Sequence, residues 1–114
     1  MHELSIVFNI IETVEELGIE NSLKKVSSVT LEVGEVSAVI PEYMTDCWKW
    51  AAEKSELLKG SELKVVALQA ITYCDSCGNT YPTLEYKKIC PRCKSEETYL
   101  LTGTEVNIKE IEAI

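Results

Sequence analysis

The spacing of four cysteines constrains the fold of this chain more than any other feature. Cys74 and Cys77 form one C-x2-C pair, and Cys90 and Cys93 form a second pair after twelve intervening residues. Each pair can turn two thiolates toward one point, and two pairs supply the tetrahedral sulfur set that zinc prefers. The surrounding segment has few aliphatic residues and needs such a staple to become ordered. We therefore predict a zinc-ribbon module here.

The cysteine pattern favours a structural zinc site over a catalytic or redox site. Four thiolates leave no coordination position open for water. A thioredoxin-like role is less favoured, because neither pair opens a helix directly after a strand. Cys47 is left over, and its place beside Trp48 on a predicted helix face suggests a core position.

The rest of the chain alternates between helical and extended patterns. Apolar residues recur at three- and four-residue steps up to Gly18, which predicts a helix ending there. A two-residue alternation predicts strands in SVTLEVGEV, ELKVVALQA and TEVNIKEI, with Gly34 breaking the first. A second helix is expected from Pro41 to Gly60. Its buried face would comprise Met44, Cys47, Trp48, Ala51, Ser55 and Leu58.

This order predicts an α/β (α+β) fold: a small three-stranded sheet with two helices, plus an inserted zinc-ribbon module. Residues 1-70 and 103-114 would form one discontinuous α/β domain, and residues 71-102 the zinc-ribbon domain. The final strand would return to the parent sheet. A hydrophobic content of 46% in 114 residues is enough for one such core.

Charge and composition limit the kinds of partner and the cellular location that we expect for this chain. The net charge is −8 with a pI of about 4.7, which disfavours nucleic acid and anionic lipid. The amino terminus lacks the basic segment of a signal peptide, and no apolar run approaches the roughly 18 residues of a membrane span. Reduced cysteines fit the cytoplasm. We expect a cytoplasmic protein that contacts neither membrane nor nucleic acid.

The amino terminus carries a second candidate metal site. The Met1 amine, the amide and imidazole nitrogens of His2 and the Glu3 amide lie close enough along the chain to surround one cation. Four nitrogens in a plane suit Ni(II) or Cu(II), whereas zinc has no such preference. The competing interpretation is that His2, the only histidine, is a solvated residue at a chain end.

In this order and at this chain length, MHE, VGEVSAV, CDSCG and CPRC closely resemble the HypA family of nickel metallochaperones for [NiFe] hydrogenase maturation. The resemblance implies a nickel-binding α/β domain and a zinc ribbon. His2 would be the principal nickel ligand, helped by the Met1 amine and the backbone of His2 and Glu3. Structural zinc would be held by Cys74, Cys77, Cys90 and Cys93.

The resemblance also implies partners. They are HypB, a nucleotide-hydrolysing nickel chaperone, and the precursor of the hydrogenase large subunit; some relatives also serve urease. One departure is Ile40, which stands where family members often carry a carboxylate. Glu35 or Glu42 could substitute for it, and a site of four nitrogens is the more cautious expectation. A homodimer and a monomer both stay open.

Two other functional classes remain as alternatives. A zinc-ribbon adaptor or nucleic-acid-binding module would have no nickel role, and removal of His2 would then leave its function intact. A metallohydrolase is disfavoured by the single histidine and the absence of H-E-x-x-H. No G-x-x-x-x-G-K-[ST] loop occurs either, so a partner would supply any nucleotide hydrolysis. We expect a transfer protein and not an enzyme.

Overall fold

The structure is a computed structural model that describes residues 2–114, so Met1 lies outside the described residues. Within this range the chain forms three helices and six strands. In chain order they are α1 (His2–Glu20), β1 (Val26–Gly34), α2 (Pro41–Ala52), β2 (Glu62–Leu68), β3 (Ile71–Cys74), β4 (Thr80–Pro82), α3 (Thr83–Tyr86), β5 (Thr98–Thr102) and β6 (Val106–Ala113).

The strands form two separate three-stranded sheets. The first has the order β2-β1-β6, so the last strand of the chain returns to lie beside the first. The second has the order β4-β3-β5, and β3 pairs antiparallel with both neighbours. The predicted α/β class, with a small sheet, helices and an inserted cysteine module, is therefore confirmed. The module has more regular structure than predicted, because it contains its own sheet and the short α3.

The first helix does not end at Gly18, as predicted, but continues to Glu20. A Cβ atom at Gly18 would lie 2.6 Å from Leu57 Cδ2, so this glycine provides room for a packing contact. The helix ends two residues later, where Ser22 adopts a left-handed φ of 54°. The Leu23 amide then donates to the Gly18 carbonyl oxygen at 2.9 Å, as in a Schellman cap.

The second helix is shorter than predicted. It begins at Pro41 but ends at Ala52, and turns lead from there to Gly60. Ser55 and Leu58 are buried, as expected of the predicted face, although both lie beyond the helix. The Ser55 hydroxyl stabilises the turns after the helix, because it accepts a hydrogen bond from the Leu58 amide and donates one to a Glu15 carboxylate oxygen at 2.8 Å. Cys47 is partly exposed and not a core residue.

The chain divides into two compact units. The first unit runs up to Glu32 and includes Val39–Val66 and Asn107–Ile114; α1 packs on α2 within it. The second unit consists of Val33–Ala38 and Ala67–Val106 and contains the cysteine pairs. The assignment of nickel binding to 1-70 and 103-114, and of a zinc ribbon to 71-102, stays a prediction.

The second unit depends on a close approach of two backbone segments. A Cβ atom at Gly34 would lie 1.9 Å from the Gly103 carbonyl oxygen, a distance that no side chain could tolerate. The neighbouring Val36 amide donates to that same oxygen at 2.9 Å. Gly34 therefore ends β1, as predicted, because the chain needs a residue without a side chain there.

None of the helices described between residues 2 and 114 has the length and apolar character needed to span a membrane.

Candidate metal centres

The structure brings Cys74, Cys77, Cys90 and Cys93 together in the second unit. Their sulfur atoms all lie within 4.8 Å of one another. Cys74 Sγ is 3.5 Å from Cys93 Sγ, and Cys77 Sγ is 3.7 Å from Cys90 Sγ. A tetrahedral zinc site with Zn–S bonds of about 2.3 Å places its sulfurs roughly 3.8 Å apart. The cluster therefore has the dimensions that zinc requires.

The two cysteine pairs are presented by the same backbone turn, used twice. In each turn the amide of the first cysteine donates to the carbonyl oxygen five residues later. The amide four residues later donates back to the carbonyl oxygen of that cysteine. These bonds are Cys74–Asn79 at 2.8 Å, Gly78–Cys74 at 2.8 Å, Cys90–Ser95 at 3.0 Å and Lys94–Cys90 at 2.9 Å.

Both turns contain a residue with left-handed backbone conformation. In the first turn this residue is Gly78, with φ 75°, and in the second it is Lys94, with φ 63°. Glycine adopts this region without penalty, whereas a lysine there is strained. The second turn therefore keeps the geometry of the first at a conformational cost.

The electrostatics of the cluster favour thiolate at Cys90. Burial opposes its ionisation, but the amides of Cys93 and Arg92, with the Asn79 side chain and the Cys77 thiol, lower the pKa of Cys90 to about 6. The Asn79 amide nitrogen is 3.8 Å from Cys90 Sγ. Donors aimed at a buried sulfur are the surroundings that a metal-bound thiolate needs.

Ionisation of Cys93 in the same cluster is opposed. The Ser95 amide favours ionised Cys93, but the adjacent Cys74 sulfur and burial outweigh it and raise the pKa of Cys93 to about 12. Two negative sulfurs at this separation repel each other, and a divalent cation removes that repulsion. The donor set and its charges therefore fit structural zinc. Among the residues from 2 onward, this is the one group of three or more potential ligands that converges.

The proposed chelate at the amino terminus lies mostly beyond what the structure describes. Met1 is outside the described residues, and of His2 the structure gives only its position at the start of α1. Glu3 is buried, and its Oε2 accepts the Ile40 amide at 3.1 Å. The Ile40 amide and the amide of Glu3 itself lower the pKa of Glu3 to about 2.

This Glu3 carboxylate is a feature that sequence reasoning missed. The sequence suggested only its backbone amide as a ligand. The signal for a further role was an acidic residue in the first helical turn, where a carboxylate is favoured. Its partner, Ile40, lies just before α2 and could not be inferred from spacing.

The two carboxylates considered as substitutes at Ile40 differ in their surroundings. Glu35 Oε1 accepts the Ala70 amide at 2.7 Å within the second unit. Glu42 lies exposed in the first turn of α2.

Comparison with known proteins identifies the family. Residues 1–113 match the family model described as "Hydrogenase/urease nickel incorporation, metallochaperone, hypA". The chain belongs to the HypA family. It is 34% identical over 111 residues to hydrogenase maturation factor HypA of Chlorobium phaeobacteroides, and 33% identical over 112 residues to that of Dechloromonas aromatica. The alignments cover 97% and 98%, respectively, of both chains.

Solved HypA structures have the same fold. A HypA protein solved in solution is 26% identical, with a TM-score of 0.79, and the match covers 100% of this chain and 97% of the other. The solution structure of the Ni metallochaperone HypA from Helicobacter pylori has a TM-score of 0.77 at 24% identity, covering 98% and 97%. At that identity the second likeness concerns the fold alone.

The resemblance noted in the sequence is thus confirmed. This chain is a nickel metallochaperone of the HypA family, which functions in hydrogenase maturation. Its four-cysteine cluster can hold structural zinc. The match extends over both units of the chain, which the alternative of a bare zinc-ribbon adaptor does not explain.

Proposed function

We propose that this HypA-family chain binds Ni(II) at its amino terminus and delivers it for the assembly of [NiFe] hydrogenase. The observation that carries the proposal is the family match over residues 1–113, which includes the MHE start. The ligands would be the Met1 amine, the amide and imidazole of His2, and the Glu3 amide. The first amides of a helix have no intrahelical partner, so their use sacrifices no helix hydrogen bond.

Glu3 would serve this site in two ways. Its amide nitrogen is the fourth nickel ligand, while its buried carboxylate fastens the first turn of α1 to the Ile40 amide. A chelate made of consecutive residues needs a fixed backbone, because every disordered rotation raises the cost of closing the ring around the metal. The carboxylate is thus a positioning group and not a nickel ligand.

The experiment is a titration of zinc-loaded protein with Ni(II), followed by calorimetry and by d–d absorption. Wild type should bind one nickel with the spectrum of planar nitrogen ligands, and His2→Ala should lose it. Glu3→Gln keeps the side-chain shape and should bind nickel more weakly than wild type but better than His2→Ala. Ser5→Ala, in the same helix, serves as the matched control. Equal nickel binding by wild type and His2→Ala would refute the proposal.

The four cysteines would hold zinc in a permanent structural role. We assign the zinc-ribbon domain to residues 71-102 and the nickel-binding domain to residues 1-70 and 103-114. The division of the chain into two compact units supports this assignment, although the residue boundaries of the units differ from those of the proposed domains. Zinc binding by thiolates requires reduced cysteines, so we propose that the protein works in the cytoplasm.

The chain would act by transfer and not as an enzyme. It lacks a phosphate-binding G-x-x-x-x-G-K-[ST] loop, so a nucleotide-hydrolysing partner such as HypB would supply the energy. The recipient would be the precursor of the hydrogenase large subunit.

A further inference from the structure

The second unit contains a groove that neither metal site uses. It has a volume of about 470 Å³, within the range of roughly 300–1,000 Å³ that is typical of ligand-binding clefts. Buried Thr72 of β3 and Val36 line it together with side chains from α3, from the turn after it and from β5. Those that matter most are Leu84, Lys87, Lys88, Tyr99 and Leu100.

The apolar walls of this groove are open to solvent. Leu84 is 52% exposed, Tyr99 53% and Leu100 38%. The hydroxyl groups between them are already engaged, since Thr72 Oγ1 and Thr83 Oγ1 share a hydrogen bond of 2.6 Å. An apolar side chain entering the groove would therefore displace water from carbon surface without stripping these hydroxyls of partners.

The backbone carbonyl groups of two lysines are held in place at the side of the groove. The Tyr81 hydroxyl donates to the Lys87 carbonyl oxygen at 2.9 Å, and the Thr98 hydroxyl donates to the Lys88 carbonyl oxygen at 2.9 Å. Lys87 also adopts a left-handed φ of 58°, where glycine would be less strained. The backbone of Lys87 is thus held in a conformation that disfavours any side chain.

A run of basic residues lies beside the groove. Residues 86–95, YKKICPRCKS, contain four basic residues and no acidic one, although the net charge of the whole chain is −8. No acidic residue lines the groove. Across residues 2–114, no carboxylate forms an ion pair with Lys87 or Lys88. Both ammonium groups are therefore available to a ligand.

We propose that this groove, lined by Leu84, Lys87, Lys88, Tyr99 and Leu100, binds an acidic segment of a partner protein that also carries leucine or aromatic side chains. An apolar side chain of that segment fills the space between α3 and β5, and flanking carboxylates meet Lys87 and Lys88. The inference does not depend on the nickel site.

A protein segment suits the groove better than nucleic acid. Charges in solution are felt over about 8–10 Å, so a short acidic segment meets mainly the local basic residues. A long phosphate chain would extend beyond these basic residues to the rest of the chain, which is strongly acidic and would repel it. The groove also has aliphatic walls, whereas single-stranded nucleic acid is bound by aromatic platforms along a basic path.

The test uses the full zinc-loaded protein and a fluorescent peptide in which leucines are interspersed among glutamates, with binding followed by anisotropy. Wild type should bind this peptide and ignore a version with lysine in place of glutamate. Lys87→Glu/Lys88→Glu should weaken binding by about tenfold or more, because both charge-assisted contacts become repulsive. The matched control is Lys24→Glu/Lys109→Glu, the same charge change at exposed sites of the first unit.

Amide chemical-shift mapping on the wild type provides a measurement that does not depend on the variants folding. The acidic peptide should shift the signals of Leu84, Lys87, Lys88 and Leu100. The proposal is overturned if the peptide does not bind or shifts signals elsewhere, or if the control variant loses as much affinity. It is also overturned if oligo(dT) binds more tightly than the peptide and Lys87→Glu/Lys88→Glu abolishes that binding.

Discussion

The two compact units of this chain achieve order in different ways. The first unit buries aliphatic and aromatic side chains from α1, β1 and α2, and Leu31, Met44 and Trp48 are almost wholly inaccessible. In the second unit the buried cluster is Cys74, Tyr81 and Cys90. Cysteine side chains therefore form much of this buried cluster, whereas hydrocarbon side chains form the core of the first unit. Zinc should therefore contribute folding free energy to the second unit and little to the first.

The largest expected effect follows from removal of zinc. Cys74→Ser, or treatment with a strong chelator, should unfold the second unit, because structural zinc contributes about 10–16 kcal/mol of apparent binding free energy in small zinc modules. The first unit should keep its helices. Hydrogen exchange resolved by residue measures both units at once. Cys47→Ser is the control, since Cys47 lies outside the cluster; loss of protection in both units would end the contrast.

The next largest effect concerns the carbon core. Leu31→Ala should lower the free energy of unfolding of the first unit by about 2–5 kcal/mol, because it leaves a cavity among buried side chains. Zinc content should stay unchanged. Chemical denaturation followed by far-UV circular dichroism measures the stability. Ile19→Ala, at a residue that is 82% exposed, should have almost no effect; equal losses from both changes would argue against this core.

A smaller effect should arise at the second cysteine turn. Lys94→Gly removes the strain of a left-handed lysine and should stabilise the zinc-bound second unit by about 1 kcal/mol. Competition with a zinc chelator measures the gain as tighter zinc binding. Ser22→Gly makes the same change at the end of α1, with φ 54°. It should stabilise the first unit and leave zinc affinity unaltered, so a change in zinc affinity there would contradict the separation.

The smallest effect is a pH dependence confined to the first unit. The hydrogen bond from the Ser28 hydroxyl is the largest cause that lowers the pKa of Glu112, and the contact with Lys64 is the second. A carboxyl with a lowered pKa stabilises the fold above its unfolded pKa, and this contribution is lost as the pH falls through the folded value. Ser28→Ala should therefore destabilise at neutral pH and match wild type in acid. Thermal unfolding across pH measures this, and a difference that persists in acid would exclude the mechanism.

Local patterns were sufficient to predict several parts of this molecule. Cysteine spacing predicted a compact turn, because two residues between thiols restrict the backbone whatever surrounds it. The alternation in TEVNIKEI predicted a strand, and the order of the helices and strands along the chain predicted its return to the parent sheet. The turn and the strand could be predicted because each depends on neighbours in sequence.

Other features depend on contacts that are distant in sequence. Glycine is common at helix ends, but Gly18 lies inside α1, where the absence of a side chain leaves room for Leu57. Glu3 is bonded to Ile40, 37 residues away. The lysines of the groove were counted only as part of an acidic chain, because their anchoring by Tyr81 and Thr98 becomes visible only in the fold. The net charge of the whole chain conceals this local run of basic residues.

Nickel and zinc are proposed to occupy different sites made of different atoms. The nickel K-edge absorption spectrum of zinc-loaded protein with one equivalent of Ni(II) tests this proposal most directly. We expect a planar shell of nitrogen ligands around nickel with no sulfur scattering, and zinc still bound by four sulfurs. Sulfur in the nickel shell, accompanied by release of zinc, would show that nickel binds the cysteine cluster and would contradict the assignment of separate sites.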